Sequence, residues 1–173
     1  MNAIKITKFK KSDLHLIWKW RSDNRVNMYI RPGRRTLDEV QEWYLEHFSG
    51  VKNLIYLVSY DDNPIGYFTI EGIDKVNRYC EFGIVIGELD YHNKGIGTSA
   101  VCMMLEKAFG EMNMHRVFAG IEEGNIPSIR CFMKSGFALE GRLREAKFAD
   151  DRYNDILLFS ILGHEWRRID SRS

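Results

Sequence analysis

The stretch that most constrains this chain is YCEFGIVIGELDYHNKGIG, from Tyr79 to Gly97, running into the apolar segment SAVCMML. Tyr79 to Ile86 reads as a buried strand. Lys94-Gly95-Ile96-Gly97 then turns the chain into a helix expected from about Thr98 to Met112. Glycine at such a turn lets the backbone approach a ligand closely. The first N–H groups of the helix are free to donate to an anion, with the helix dipole behind them, and Lys94 adds a cation at the same place. The arrangement suits a pyrophosphate. It is neither GxxxxGK[ST] nor a full GxGxxG, and taken alone GIG before a helix is an ordinary tight turn.

The flanking sequence supplies a sheet for this strand to join. Ile4 to Phe9 alternates like a half-buried strand. Ser12 is expected to cap a helix carrying Leu14, Ile17, Trp18 and Arg21 on one face. Thr36 and Glu39 form a capping box for a second helix with Val40, Trp43, Tyr44 and Phe48 on one side. Between the two lies the basic turn Arg31-Pro32-Gly33-Arg34-Arg35. Asn53 to Tyr60 and Ile65 to Glu71 read as strands around Asp61-Asp62-Asn63-Pro64. Arg116 to Ile121 is a further strand, followed by Asn125 and a helix with Pro127 in its first turn, closed by Gly136. Phe137 to Leu143 and Ile156 to Leu162 complete the set around Asp150-Asp151-Arg152. The order β-α-α-β-β-β-α-β-α-β-β predicts an α/β (α+β) fold with a mixed, mostly antiparallel central sheet flanked by helices. No linker or repeat divides residues 1–173, so one domain is expected.

Composition narrows the class. At 173 residues the chain can bury roughly two thirds of its unfolded surface without disulfide or metal support. Twenty-five Lys and Arg against twenty-four Asp and Glu leave a net charge of +1, without the basic excess of nucleic-acid binders. Cys80, Cys102 and Cys131 are odd in number and widely spaced, which reads as buried free thiols. No His/Asp/Glu cluster has metal-ligand spacing. The N-terminus has no signal-peptide h-region and no apolar run reaches a membrane span of about 18 residues. A soluble, cytoplasmic protein without membrane or nucleic-acid partners is expected.

With its flanks, the glycine turn resembles the GCN5-related N-acetyltransferase (GNAT) superfamily. His92-Asn93-Lys94-Gly95-Ile96-Gly97 stands where the family has Q/R-x-x-G-x-G/A. Asn125-Ile126-Pro127-Ser128 through Ser135-Gly136-Phe137 matches its Asn-helix-GF element. Glu140-Gly141-Arg142-Leu143-Arg144-Glu145 and Tyr153-Asn154-Asp155 are similar to the branch of ribosomal-protein N-terminal, spermidine and pseudaminic-acid-type aminosugar acetyltransferases. The resemblance covers nearly the whole chain. It implies acetyl-CoA as co-substrate and direct acetyl transfer to a primary amine in a ternary complex. It implies that Ile84, Val85 and Ile86 offer backbone amides to pantetheine and polarise the thioester carbonyl. The amides of Asn93, Lys94, Gly95, Ile96, Gly97 and Thr98 would hold the pyrophosphate, with His92 contributing through backbone. Asn125, with Ser128 beside it, would contact the pantetheine arm. A homodimer is compatible with the branch.

The chain departs from that pattern at three places, one of them a loop before His92 that is one residue longer than the pattern has. His92 replaces the usual Gln or Arg. The tyrosine that protonates the leaving CoA thiolate falls at Phe132, which has no proton to give. A thiol of pKa about 8 to 9 can leave as thiolate unaided, so turnover does not require that tyrosine. Glu81 is the candidate base, because an amine of pKa near 10 is almost wholly protonated at pH 7 and must lose a proton before it attacks. A salt-bridged strand-end carboxylate is the other reading of Glu81, and Tyr79, Tyr91 and His115 are weaker candidates. Arg31, Arg34 and Arg35, with Tyr29, form the candidate acceptor site. Clustered guanidiniums suit an anionic acceptor, which favours a nucleotide-linked aminosugar over a protein N-terminus or a polyamine. A CoA-binding module without turnover is the alternative from outside catalysis.

Overall fold

The computed structural model describes residues 4–30, 36–149 and 151–170. One seven-stranded sheet runs through it in the order β1-β2-β3-β4-β5-β7-β6. The strands are β1 (Ile4–Lys8), β2 (Leu54–Tyr60), β3 (Asn63–Asp74), β4 (Tyr79–Ile86), β5 (Arg116–Glu122), β6 (Ala138–Ala149) and β7 (Arg152–Leu162). Every neighbouring pair is antiparallel except β4 and β5, which are parallel. The expected mixed, mostly antiparallel sheet is therefore present.

Helices cover both faces. On one side α1 (Leu14–Ser22), α2 (Asn24–Asn27) and α3 (Leu37–Phe48) bury Leu14, Ile17, Trp20, Val26, Val40 and Phe48 against Ile55 and Tyr67. On the other, α4 (Ile96–Glu106) and α5 (Ile126–Lys134) pack Ala100, Val101, Met104 and Phe132 over Val58, Phe68 and Val117. Adjacent residues of one strand, such as Tyr67 and Phe68, thus serve opposite cores. Covering on both faces explains why the central strands read as unbroken apolar runs. α6 (Gly163–Asp170) closes the chain and anchors through Trp166. No helix among the described residues is long and apolar enough to cross a membrane.

Sequence expectations and structure differ at identifiable points. Ser12 does not cap α1; it lies in a short 3-10 turn, Lys11–Asp13, and the Asp13 carboxylate accepts from the Lys10 N–H at 2.8 Å. Trp18 is exposed, and the buried indole of α1 is Trp20. The four-residue α2 is too short for a periodic signal and is defined by Asp23, whose carboxylate accepts from the Arg25 N–H at 2.9 Å. α6 was not expected because GHEWRRID carries almost no apolar face. β6 and β7 extend well beyond Phe137 to Leu143 and Ile156 to Leu162. β6 is an edge strand, mostly exposed, so it does not alternate. The capping box at Thr36 is formed: Thr36 N–H donates to Glu39 at 2.6 Å, and Glu39 N–H to Thr36 Oγ1 at 3.2 Å. All three cysteines are free, with Cys80 buried and Cys102 and Cys131 half-buried.

Candidate active site

The seam between β4 and β5 creates the site. Ladder pairs join only Tyr79 to Arg116, Cys80 to Val117 and Glu81 to Phe118. Beyond Glu81, β4 stays with β3 and β5 stays with β7. The strands part, and β4 amides facing β5 have no ladder to enter. A cleft of about 300 Å³ occupies the wedge, walled by Phe82 to Val85 on one strand and Ala119 to Glu122 on the other. α1, its following loop and α3 contribute Arg21, Tyr29 and Trp43, while α5 contributes Ser128 and Phe132, with Asn125 at its cap. Thr69, Glu71 and Lys147 complete the polar lining.

Two carboxylates meet at the base of the wedge. Glu71 and Glu81 are register partners across the β3–β4 ladder. Burial pushes the Glu81 carboxyl above the ordinary carboxylate range and the Glu71 charge pushes it further, against a hydrogen bond from the Gly120 backbone. Among the described residues neither carboxylate has an ion-pair partner. The salt-bridged strand-end reading of Glu81 thus finds no partner among the described residues. A third acid, Glu122, is paired: Lys147 Nζ lies 2.9 Å from Glu122 Oε2 and also donates to the Tyr29 carbonyl at 3.2 Å.

At the far end of β4 the backbone forms an anion-sized concavity. Asn93 (φ 58°) and Gly95 (φ 78°) are both left-handed and flank Lys94, and Gly95 is the N-cap of α4. Such alternation turns successive N–H groups toward one point, where the helix dipole adds to them. The helix opens at Ile96, two residues before the expected start, so its free amides begin inside the motif. A Cβ on Gly97 would stand 3.3 Å from Cys131 Sγ of α5. His92 is committed elsewhere: its Nε2 lies 2.7 Å from the Ile86 carbonyl, tying the loop to the end of β4. Since a carbonyl only accepts, Nε2 carries the proton. The Lys94 ammonium sits 5.7 Å from the Tyr91 ring centroid.

The structure brings Tyr29, Ile84, Val85, Asn125 and Ser128 into one cleft; Glu81 does not line it but lies next to it, its Oε1 3.6 Å from where a Cβ on Gly120 would stand. Ile86 and His92 to Thr98 form the adjoining turn. Asn125 Oδ1 accepts from the Ser128 N–H at 3.2 Å and so caps α5. Tyr29 donates to the Gly124 carbonyl at 2.8 Å. Phe132 lies edge-on to Phe137 and is almost fully buried, so its position offers no proton. Burial pushes the Cys131 thiol above its ordinary range, against a hydrogen bond from Thr98. Arg31, Arg34 and Arg35 lie outside the described residues. Sequence reasoning missed Glu71, Glu122, Lys147 and the place of Arg21 in the cleft. For Glu71, the hairpin register opposite Glu81 was the available signal.

Comparison with known proteins accords with this geometry. Residues 4–138 match the family model "Acetyltransferase (GNAT) domain". The spermidine N(1)-acetyltransferase of Escherichia coli (strain K12) is 22% identical over 166 residues, covering 95% of this chain and 89% of that protein. The uncharacterized N-acetyltransferase YnaD of Bacillus subtilis (strain 168) is 28% identical over 162 residues, covering 93% and 94%. The crystal structure of spermidine N-acetyltransferase from Vibrio cholerae in complex with CoA and spermine superposes with a TM-score of 0.87 at 23% identity, covering 95% and 98%. A parted β4–β5 seam, a left-handed glycine turn into α4 and a family match over most of the chain lead to one assignment: this chain belongs to the GNAT acetyltransferase family and is an N-acetyltransferase that uses acetyl-CoA as co-substrate.

Proposed function

We propose that this enzyme acetylates a small primary amine held in the β4–β5 cleft, with Glu81 as the base that removes the amine's proton. The observation that carries this reading is the position of Glu81. It ends the paired part of the seam, next to the cleft, with its pKa raised by burial and by Glu71. A carboxyl raised toward neutrality is a better match to proton transfer at pH 7 than an ordinary one. Glu71 and Glu81 together favour the ammonium form of an arriving amine. Proton removal through Glu81, directly or by one water, then frees the lone pair.

When bound, acetyl-CoA supplies the acetyl group as a thioester. The residues present fit it: the left-handed pair Asn93 and Gly95 and the α4 amides from Ile96 to Thr98 suit the pyrophosphate, and Lys94 adds charge there. The parted edge from Ile84 to Ile86 suits the amide-rich arm. Asn125 and Ser128, on the cleft wall at the start of α5, would lie against that arm. With phenylalanine at 132, the leaving thiol departs as thiolate or takes its proton from another group.

A polyamine acceptor is the second reading. It is favoured by the unpaired Glu71–Glu81 couple and by the names of the E. coli and V. cholerae relatives. The nucleotide-linked aminosugar expected from Arg31, Arg34 and Arg35 gains no support from those relatives. The test is thiol release from acetyl-CoA with a panel of diamines, amino acids, aminosugar nucleotides and peptides, with products weighed by mass spectrometry. Acetylation of a small primary amine, abolished or strongly slowed in Glu81→Gln at pH 7, is the expected result. Release that is indifferent to every amine would overturn the proposal.

A further inference from the structure

Arg21 is the least satisfied group in the molecule's described part. It sits on α1 among Leu14, Ile17 and Trp20, only 5% exposed, and lines the cleft. Its Nη2 donates to the Ile30 carbonyl at 3.0 Å, and its guanidinium carbon lies 4.8 Å from the Trp43 ring centroid. Nε and Nη1 are closed off from solvent and have no hydrogen-bond partner among the described residues, and no carboxylate there pairs with the charge. Arginine stays charged when buried. A desolvated cation with two idle donors is costly to keep unless something brings a counter-charge. The other charges at the cleft do not: Glu122 is held by Lys147, and Glu71 and Glu81 meet each other across β3 and β4.

We propose that Arg21 binds an oxyanion of the acceptor, a carboxylate or a phosphate, so that the substrate is an amine carrying an anionic group, seated with its ammonium toward Glu71 and Glu81 and its oxyanion against Arg21. This rests on the acceptor site proposed above. Nε and Nη1 lie on different edges of the guanidinium, so either can donate one charge-assisted hydrogen bond to an oxyanion. The Trp43 ring and the Ile30 carbonyl hold the rest of the guanidinium, which leaves these two donors for a ligand. A polyamine has no group for Arg21 and would bring a second cation beside it.

The test measures kcat/KM for 4-aminobutyrate, its amide, 1,4-diaminobutane and 2-aminoethyl phosphate, in wild type and Arg21→Met. Wild type should prefer one anionic amine over the neutral amide by about tenfold to a hundredfold, the range of one charge-assisted contact. Which anionic amine wins separates carboxylate from phosphate. In Arg21→Met that ratio should collapse toward one, while the melting temperature stays at or above wild type because an unpaired buried charge has gone. Inorganic phosphate and acetate provide a readout independent of turnover. With CoA saturating the α4 turn, they should raise the wild-type melting temperature and perturb tryptophan fluorescence through Trp43, and do neither in Arg21→Met. If no amine is acetylated but anion binding still depends on Arg21, the acceptor proposal falls and the oxyanion site stands. A preference for the diamine, an unchanged ratio in Arg21→Met, or anion binding that survives the substitution overturns it.

Discussion

Glu71 and Glu81 face each other across the β3–β4 ladder, two like charges in direct register beside the cleft. Opposed like charges weaken a sheet by a few tenths to about 1 kcal/mol. Their meeting beside the parted seam ties the local electrostatics of the hairpin to the chemistry proposed for Glu81.

Removing Glu71's charge should therefore move Glu81. In Glu71→Gln the Glu81 carboxyl loses one of the two influences that raise it, leaving burial alone. The base is then ionised at lower pH, and the acid limb of the kcat/KM profile should shift downward. A profile that keeps its wild-type position would disconnect the pair.

Glu81→Gln should lower turnover at pH 7 and recover part of it as pH rises, since the amine's own free-base fraction grows about tenfold per pH unit below its pKa. Stability supplies a second readout. A raised folded-state carboxyl means the folded chain keeps its proton to higher pH than the unfolded chain does. Its contribution is largest below the ordinary carboxyl range and declines as pH climbs through the raised value. Melting temperatures of wild type and Glu81→Gln, followed upward from pH 4, should diverge in favour of the variant.

The glycine turn gives two distinct outcomes. Gly95→Ala forces a side chain onto φ 78°, with open space around it, so the cost is backbone strain of about 1 kcal/mol. Gly97→Val pushes into Cys131 on α5. Both should weaken CoA binding measured by calorimetry, and the valine should also lower the melting temperature.

Gly87, just after β4, carries a steric requirement of another kind. A Cβ there would fall 2.1 Å from Trp20 Cγ. The indole lies on that backbone, stacks on Tyr67 at 6.3 Å and donates to Glu88 at 2.7 Å. Burial alone pushes Glu88 up, but the hydrogen bonds from Lys19 and Trp20 prevail and hold it below its ordinary value. Gly87→Ala should displace α1, cost about 1–3 kcal/mol or more by overpacking, and lower the melting temperature while leaving the α4 turn intact.

Away from the cleft, Arg116 and Ser160 hold the Glu140 carboxyl at about 2. A depressed carboxyl stabilises the fold above its unfolded value of 4.5, and that contribution is lost as pH falls toward 2. Wild type should lose its advantage over Glu140→Gln across that window. Parallel melting curves for the two proteins would show the pair to be energetically idle.

Local signals carried much of the fold in advance. The capping box at Thr36, the β4 run, the glycine turn and the Asn125–Pro127 helix start each depend on neighbours within a few residues, and each is in place. What depended on distant partners was not legible. Lys147 lies on a polar edge strand whose pattern announces nothing, yet it reaches Glu122 and Tyr29. Arg21 follows the helical period of α1, but only the packed helices reveal that its charge is enclosed. β6 and β7 exceeded their expected lengths because edge strands are held by pairing more than by burial.

The three-pair junction of β4 with β5 also divides the molecule mechanically. β3 and β4 share seven register pairs, as do β5 and β7, so the sheet is two robust ribbons joined at one narrow waist. Amide hydrogen exchange should resolve them as two cooperative blocks, residues 54–86 and 116–162, with the least protected central amides at 82–86 on the side facing β5. A ligand spanning both ribbons would act as a rivet across the waist, and the protection it confers should reach both blocks together.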